Sequence, residues 1–360
     1  MPNITRRPFW SLHTHSKFSV NDALPAIPDM VARAVELDYP ALGLTDHGNV
    51  SGSIQLYKAC RKAGIEPLPG IELYVVPDTE TAGRKDSMHL TLNAYNEAGY
   101  RNLMHIATLS ARKYWYKPQI DFADFAEMAA AGATQGLAIS TGCYFGVIPS
   151  TIRTRGIPAA VQVAQALAGW FPRVYVELQN HGIDQQRDED ISDDQMIEAV
   201  WEVAQRSGLP CVVTRDSHYT LESEKPLHEA LKALVSWNAD IKDAIFPGGG
   251  YHMTNEEGLR PYFEPKYLEA GLEGLSDLAN AACLRLPELE NFSLKIPDVS
   301  VMGDPQHELE EKVLDAYSVS AFSKDPRYLE QIRKELAVLE GGGMAPYILL
   351  VDLVDRKSVV

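Results

Sequence analysis

Short apolar runs alternate with amphipathic helical stretches from the start of the chain to about residue 236. The strand-like runs are residues 9–13, 41–45, 67–76, 89–95, 137–141, 173–179 and 210–214. Between most of them lie stretches with helical periodicity at 26–38, 51–63, 97–112, 157–170 and 193–207. In the first of these Ile27, Met30, Val31, Ala34 and Leu37 make one apolar face. Alternation of this kind, with strands apolar on both faces, predicts an α/β fold: a parallel sheet covered by helices. Seven strands in roughly 210 residues suit a closed barrel better than an open sheet.

Polar residues interrupt this pattern at particular places. The first run closes on His13-Thr14-His15, the second on Thr45-Asp46-His47-Gly48, and the seventh on Asp216-Ser217-His218. Cys143 follows the fifth run, Glu72 lies inside the third and His89 opens the fourth. Strand side chains alternate faces, so His13 and His15 share a direction, as do Asp216 and His218. Chemistry in α/β barrels collects at the carboxyl ends of the strands. Glu72 and His89 do not follow that rule cleanly, which points to a hairpin or a distorted barrel wall. A single HxH is weak evidence, and an Asp beside a His often only orients it. Several independent units placing imidazole, carboxylate and thiol at one end is stronger, and such a donor set suits a cluster of Zn or Mn ions.

The remaining composition sets bounds. The chain has 360 residues and 45% hydrophobic content, enough for one large core and a smaller second unit. A net charge of -16 opposes nucleic acid overall, so DNA contact requires a local basic patch or metals. Four cysteines without a CxxC pair fit a reducing compartment. No run of about 18 apolar residues suggests a membrane span, and Met1 to Phe9 lacks the apolar core of a signal peptide. A cytoplasmic location is expected. After residue 237 the pattern changes. Pro247-Gly248-Gly249-Gly250 reads as a loop, 261–285 as helical, 291–305 as extended, and 306–318 and 325–340 as helices. An apolar run at 346–354 then ends without a closing element, so the chain is expected to stop inside a domain.

The motifs above resemble those of the polymerase and histidinol phosphatase (PHP) superfamily. More specifically, the chain resembles the N-terminal PHP domain of the alpha subunits of bacterial C-family replicases, the DNA polymerase III family. Gly70-Ile71-Glu72, His89-Leu90-Thr91-Leu92, Thr141-Gly142-Cys143, the stretch Phe18 to Ala23, Tyr116-Lys117-Pro118 and Gln179-Asn180-His181-Gly182 add to the likeness. Pro346 to Asp352 resembles the entrance to that family's palm, so the likeness covers nearly the whole chain. It implies a distorted seven-stranded (β/α)7 barrel at 1–285, a linker at 286–305, and the start of a small, mostly helical, incomplete palm segment at 306–360. It also implies three divalent metals, Zn or Mn, with Mg a further candidate. By motif, His13, His15, Glu72 and Asp216 would hold the first and carry the catalytic chemistry. Glu72 would bridge to a second completed by His89 and Cys143, and Asp22, His47 and His218 would hold the third.

The activity so implied is a 3′→5′ proofreading exonuclease acting on a DNA 3′ end. Its implied partners are the rest of the polymerase, a proofreading subunit and a sliding clamp. Asp304, Asp315 and Asp352 lack an Asp-x-Asp strand signature, so no nucleotidyl-transfer site is expected within this chain. Asp46 and Asn180 are candidates for orienting ligands, against the plainer reading that each stabilises a turn. Arg112, Lys113, Tyr114, Trp115 and Lys117 mix cations and aromatics as single-strand-binding surfaces do, although an exposed helix end is the simpler account. His228, His252 and His307 are expected at the surface and His105 as a packing or surface residue, whereas His181 is expected near the cleft. Two other functions share the motifs: a stand-alone phosphatase of small esters such as histidinol phosphate, and a non-catalytic metal module that docks polymerase partners.

Overall fold

In the computed structural model, the described residues are 8–80, 82–83, 87–184, 191–235, 246–286, 299–300 and 303–357. The chain divides into two compact units, Met1–Arg285 and Leu286–Val360. Most of 286–305, expected as a linker, lies outside the described residues.

The first unit is a curled, mixed seven-stranded sheet wrapped by helices. Its strands are β1 (Ala41–Leu44), β2 (Glu66–Val76), β3 (Met88–Ala94), β4 (Gln119–Asp121), β5 (Leu137–Ser140), β6 (Arg173–Leu178) and β7 (Cys211–Val213). They pair in the order β1-β2-β3-β5-β6-β7, with β4 added to the far end of β2. The helices are α1 (Ile27–Glu36), α2 (Ser53–Ala63), α3 (Glu97–Arg112), α4 (Phe122–Ala130), α5 (Val147–Arg155), α6 (Ile157–Trp170), α7 (Asp193–Ser207), α8 (Lys225–Val235), α9 (Glu256–Leu259) and α10 (Pro265–Ala281). α1 buries Ile27, Met30, Val31 and Ala34. Each of the larger three contributes roughly 1.5–3 kcal/mol by leaving water.

Two departures from the expected architecture matter for the site. First, β3 runs antiparallel to both β2 and β5, so the sheet is not all-parallel. Second, β2 overruns β1: β1 ends at Leu44 opposite Pro69, while β2 continues to Val76. Glu72 therefore stands beyond the rim of β1, bridged to His47, and His89 at the start of β3 reaches the same end of the sheet. Both apparent exceptions in the sequence are thus consequences of strand length and direction. Along β2, Ile71, Leu73 and Val75 enter the core shared with Leu103 and Ile106 of α3. Period-two alternation leaves Glu72 and Tyr74 on the other face.

Residues 9–13, expected as the first strand, carry no regular strand, and neither do 14 and 15. They instead stitch the two ends of the curled sheet together. Gly43 N donates to Ser11 O and Thr45 N to Thr14 O on one side; Ser217 N donates to His13 O and His15 N to Ser217 O on the other. Trp10, fully buried, anchors this seam through Nε1 to Leu275 O of α10 at 3.2 Å.

The second unit holds α11 (Pro305–Val319), α12 (Pro326–Gly341) and α13 (Ala345–Lys357) around a small core of Leu309, Leu336, Ala345 and Leu349. Val338, Val351 and Val354 remain exposed. Among the described residues no single helix is long and apolar enough to cross a membrane.

The seam requires glycine at position 43, where a Cβ would lie 2.0 Å from Leu12 O. Gly43→Ala should therefore cost about 1–3 kcal/mol of unfolding free energy, read by urea denaturation. An unchanged midpoint would mean that residues 9–15 do not press on β1.

Candidate metal centre

The nine sequence-picked donors converge at one end of the sheet, reaching it by different routes. His13 and His15 come from the seam, and His47 follows β1. Glu72 and His89 come from the β2–β3 hairpin, Cys143 from the turn after β5, and Asp216 and His218 from the segment after β7. Asp22 comes from the loop before α1. Two of these positions need unusual backbone. Gly142 has φ +87, and a Cβ there would lie 2.7 Å from His89 O, so only glycine lets Cys143 turn in beside His89. Asp216 itself sits at φ +48, in the left-handed region that Asp tolerates better than most residues.

The donor atoms follow the three sets that the resemblance implies, although within 4.8 Å they also group across them, as His15-His47-His218 and His47-Glu72-His89 do. His13 Nε2 lies 3.3 Å from Asp216 Oδ1 and 3.5 Å from Glu72 Oε1. His15 Nε2 lies 3.1 Å from the same Asp216 oxygen and 3.3 Å from Glu72 Oε2. Beside them, His89 Nδ1 is 2.8 Å from Glu72 Oε1 and 3.6 Å from Cys143 Sγ. On the cleft side, Asp22 Oδ2 is 2.7 Å from His47 Nε2 and 3.4 Å from His218 Nε2, while His47 Nδ1 reaches Glu72 at 2.8 Å. Glu72 touches members of all three sets.

Hydrogen bonding fixes which nitrogen of three imidazoles faces the cluster. His13 Nδ1 meets Glu177 Oε1 at 2.7 Å, and a carboxylate can only accept. His15 Nδ1 meets Ser19 Oγ at 3.0 Å, whose own proton goes to Asp46 Oδ1. His218 Nδ1 meets the Asp216 carbonyl at 2.7 Å. Each Nδ1 must donate, so in the neutral imidazole, the form that binds a cation, each Nε2 presents a lone pair. All three Nε2 atoms are buried with no hydrogen-bond partner, as are Asp216 Oδ1 and one oxygen of Glu72. Buried polar atoms are normally satisfied, and orphaned lone pairs converging on carboxylates mark a cation site. The 3.1–3.5 Å spacings of His13 and His15 from the carboxylates also match the roughly 3.3 Å between neighbouring ligands in a tetrahedral zinc site. The residues fit the divalent cations that the motifs imply.

Charge balance points the same way. Burial opposes ionisation of Glu72, yet His89, His47 and His13 hold its pKa well below the usual range. Burial likewise disfavours a charge on His13, but Asp216, Glu177 and Glu72 outweigh it and raise its pKa well above normal. His47, desolvated but flanked by Glu72 and Asp22, is raised to about 10. Without a cation, protons on the imidazoles supply the positive charge. The Cys143 thiol is pushed up by burial and by Glu72 and Asp216, so a bound cation is what would draw off its proton.

Sequence reasoning missed Glu177. It is fully buried on β6 and also accepts from Gly142 N at 2.9 Å and Thr214 Oγ1 at 2.5 Å. It thereby ties His13, the Cys143 turn and the end of β7 to one carboxylate. Its sequence signal is the one Glu72 carries, a lone acid inside an apolar strand. Asp46 acts on His15 through Ser19 and also accepts from Ser16 N and Oγ. Asn180 bonds instead to Asp194 and Gly182 N and touches no donor.

His228, expected at the surface, is buried and donates from Nε2 to Asp22 O at 2.8 Å. His252 is half-buried, while His105 and His307 are exposed. His181 lines the cleft, stacked on Tyr251 at 4.0 Å, and burial and Arg215 lower its pKa to about 3.

Above the donors opens a cleft of about 1080 Å³. Tyr116 and Phe145 stand on its walls, 57% and 59% exposed. Lys117 and Arg153 lie beside them, each over a tyrosine ring at 4.1 Å, Tyr74 and Tyr144 respectively. Of the basic-aromatic stretch, Tyr114 and Trp115 are exposed outside the cleft lining and Arg112 is exposed at the end of α3. Lys113 is held by Asp124 at 2.7 Å and Asp121 at 3.5 Å.

Residues 11–181 match the PHP domain family. The DNA polymerase III subunit alpha of Saccharopolyspora erythraea is 27% identical over 97% of this chain and 31% of its own length. That of Borreliella burgdorferi is 28% identical over 96% of this chain and 30% of its own. The chain thus spans about a third of the length of the curated relatives it matches. A solved amidohydrolase from Chromobacterium violaceum matches at 16% identity and a TM-score of 0.31, covering 58% of this chain and 87% of that one.

Two outcomes test the centre. Glu177→Ala should weaken divalent-cation binding by roughly 10–100-fold in chelator competition, because His13 loses the acceptor that fixes its tautomer. Undiminished affinity would remove Glu177 from the site. The raised pKa of His47 means that near pH 7 a cation must displace a proton. Calorimetry in buffers of different ionisation enthalpy should show net proton release, and affinity should rise with pH toward about 10. Binding without proton release would contradict the assignment of His47 as a ligand.

Proposed function

We propose that the PHP domain of this chain is a metal-dependent phosphodiesterase that removes nucleotides from a DNA 3′ end, as a 3′→5′ proofreading exonuclease. Its context would be the N-terminal part of a polymerase III alpha subunit. The observation that carries this reading is the set of orphaned donors at the floor of an open, aromatic-walled cleft. Three divalent cations are assigned to the three donor sets, Zn or Mn with Mg as a further candidate. When bound they would activate water and neutralise the phosphoryl oxygens during in-line displacement.

The chain's own residues supply binding and orientation. Glu177, Ser19 and the Asp216 carbonyl hold His13, His15 and His218 with Nε2 facing inward. Glu72 links the sets. Lys117 and Arg153 offset the charge of the strand's phosphates in a protein that is otherwise strongly acidic. Tyr116 and Phe145 offer ring faces to unpaired bases, a contact worth about 1–3 kcal/mol per base. Arg112, Tyr114 and Trp115 could extend contact with the strand beyond the cleft, while Lys113 serves its two aspartates first. The cleft is as large as the roughly 300–1,000 Å³ typical of small-molecule pockets, or larger, which favours a polymer end over a small ester.

Residues 306–360 are assigned as the start of a polymerase palm region, since the polymerase relatives align through nearly the whole chain. The remainder of such a polymerase, a proofreading subunit and a sliding clamp are the corresponding partners, in the cytoplasm.

Manganese-loaded protein should shorten a 3′-labelled single-stranded oligonucleotide and release little phosphate from histidinol phosphate. Asp216→Asn and His13→Ala should lower that activity at least about a hundredfold and reduce bound metal together. Phe145→Ala should raise KM for the oligonucleotide roughly tenfold while leaving hydrolysis of a base-free diester unchanged. Phosphate release from histidinol phosphate alone would favour the small-ester phosphatase. Tight metal binding with neither activity would favour a structural module.

A further inference from the structure

The three donor sets differ in charge. His13 and His15 face two carboxylates, Asp216 and Glu72, with Glu177 behind His13. The His89 set holds Glu72 and the Cys143 thiol. The third set, His47 and His218, has Asp22 as its own acid, and that acid already carries a partner. Lys232 Nζ contacts Asp22 Oδ1, on the oxygen that the imidazoles leave open.

The contact is built from α8, whose His228 and Lys232 stand one turn apart. His228 Nε2 donates to the main-chain oxygen of Asp22, and Lys232 reaches its side chain. One face of the helix therefore grips Asp22 at both ends. The lysine ammonium also lies over the Phe246 ring, with Nζ 4.9 Å from its centroid. Two members of this set reach solvent, the side chains of Asp22 and His47 being 17% and 19% exposed, while His218 is 2% exposed; Asp216 and His89 in the other sets are 13% and 16% exposed.

We propose that Lys232 is the resident cation of the Asp22–His47–His218 set, which therefore takes a divalent ion more weakly than the sets built on Glu72 and Asp216. The proposal rests on the metal-centre reading above and deepens it. An ammonium on Asp22 cancels that acid's unit charge and repels an incoming dication at close range, where such interactions are strongest. Affinity for a divalent cation rises with ligand charge, so the set whose own acid is already paired fills last. Lys232 is a positioning residue here, since it acts through Asp22.

Manganese titration of the full chain, followed by electron paramagnetic resonance and elemental analysis, tests this. Wild type should show two tighter ions and one weaker. Asp22→Asn should abolish the weaker ion alone, which assigns it. Lys232→Met should tighten that ion at least about tenfold and leave the other two unchanged. Lys232→Arg, which keeps the charge, should behave as wild type. The proposal is overturned if Lys232→Met leaves the weak ion unchanged or loosens it, or if Lys232→Arg tightens it equally. Manganese binding nowhere in the wild type would sink both this inference and the metal centre. The expected titration without oligonucleotide cleavage would uphold Lys232 and remove only the exonuclease reading.

Discussion

Burying Glu72, Asp216 and Glu177 within one pocket is the constraint around which the rest of the structure is arranged. A buried carboxylate without a counter-charge costs several kcal/mol, and three together would neutralise or unfold the site. The imidazoles answer part of that charge as protons or as ligands to cations. The fold answers the rest at Glu177, whose oxygens accept from Gly142 N, Thr214 Oγ1 and His13 Nδ1. Such a centre cannot be added to a finished barrel, because the residues that balance it come from every segment forming one end of the sheet. Stability and metal affinity are consequently linked, since a bound cation replaces the imidazole protons and favours the folded state.

Strand length and direction convert that electrostatic demand into geometry. A uniform parallel barrel would present donors only from loops after each strand. Here β2 runs past its neighbour, which lifts Glu72 to the level of His47, and β3 returns antiparallel so that His89 begins where β2 is ending. One hairpin thus supplies both the carboxylate that touches every donor set and an imidazole beside it. The irregular seam at 9–15 does the complementary task. By pairing with β1 on one side and Ser217 on the other, it fixes His13 and His15 against Asp216 without a long strand of its own.

Much of this was legible in the sequence because local signals and tertiary roles coincide. The helix at 27–36 follows its apolar periodicity, and the HxH, DH and DSH sequences stand at the ends of apolar runs. Other parts lacked a local signal. Strands buried on both faces read as continuous apolar runs, so the reversed direction of 88–94 shows only in the places of Glu72 and His89, which point to a hairpin or a distorted wall. β4 is three residues long, beyond the reach of any periodicity. Glu177 was visible in principle, for an acid inside RVYVEL has no reason to be there unless something buried needs it. His228 was misjudged because its partner is a main-chain oxygen more than 200 residues away. Lys232 carries no local signal for the same reason, since its partner Asp22 lies 210 residues away in the chain.

Rigidity is graded from the floor of the centre to its rim, and the grading follows from which elements carry the donors. The deepest side chains are set by ladder hydrogen bonds and by Glu177, itself paired on β6, so they have little freedom to adapt. Asp22 lies on a loop beside Asn21, whose φ is +66, and is gripped from a separate helix. Tyr116, with φ +58, occupies a comparably strained turn on the opposite wall. Left-handed backbone at non-glycine positions is retained only where surrounding contacts enforce it, and such positions gather where ligands are handled. For the proposed exonuclease, a fixed floor of high negative charge beneath a rim held by exchangeable contacts would suit a site that keeps its own cations while repeatedly admitting and releasing a long, charged strand. An inverted arrangement, loose below and rigid above, would lose metal with each departing product.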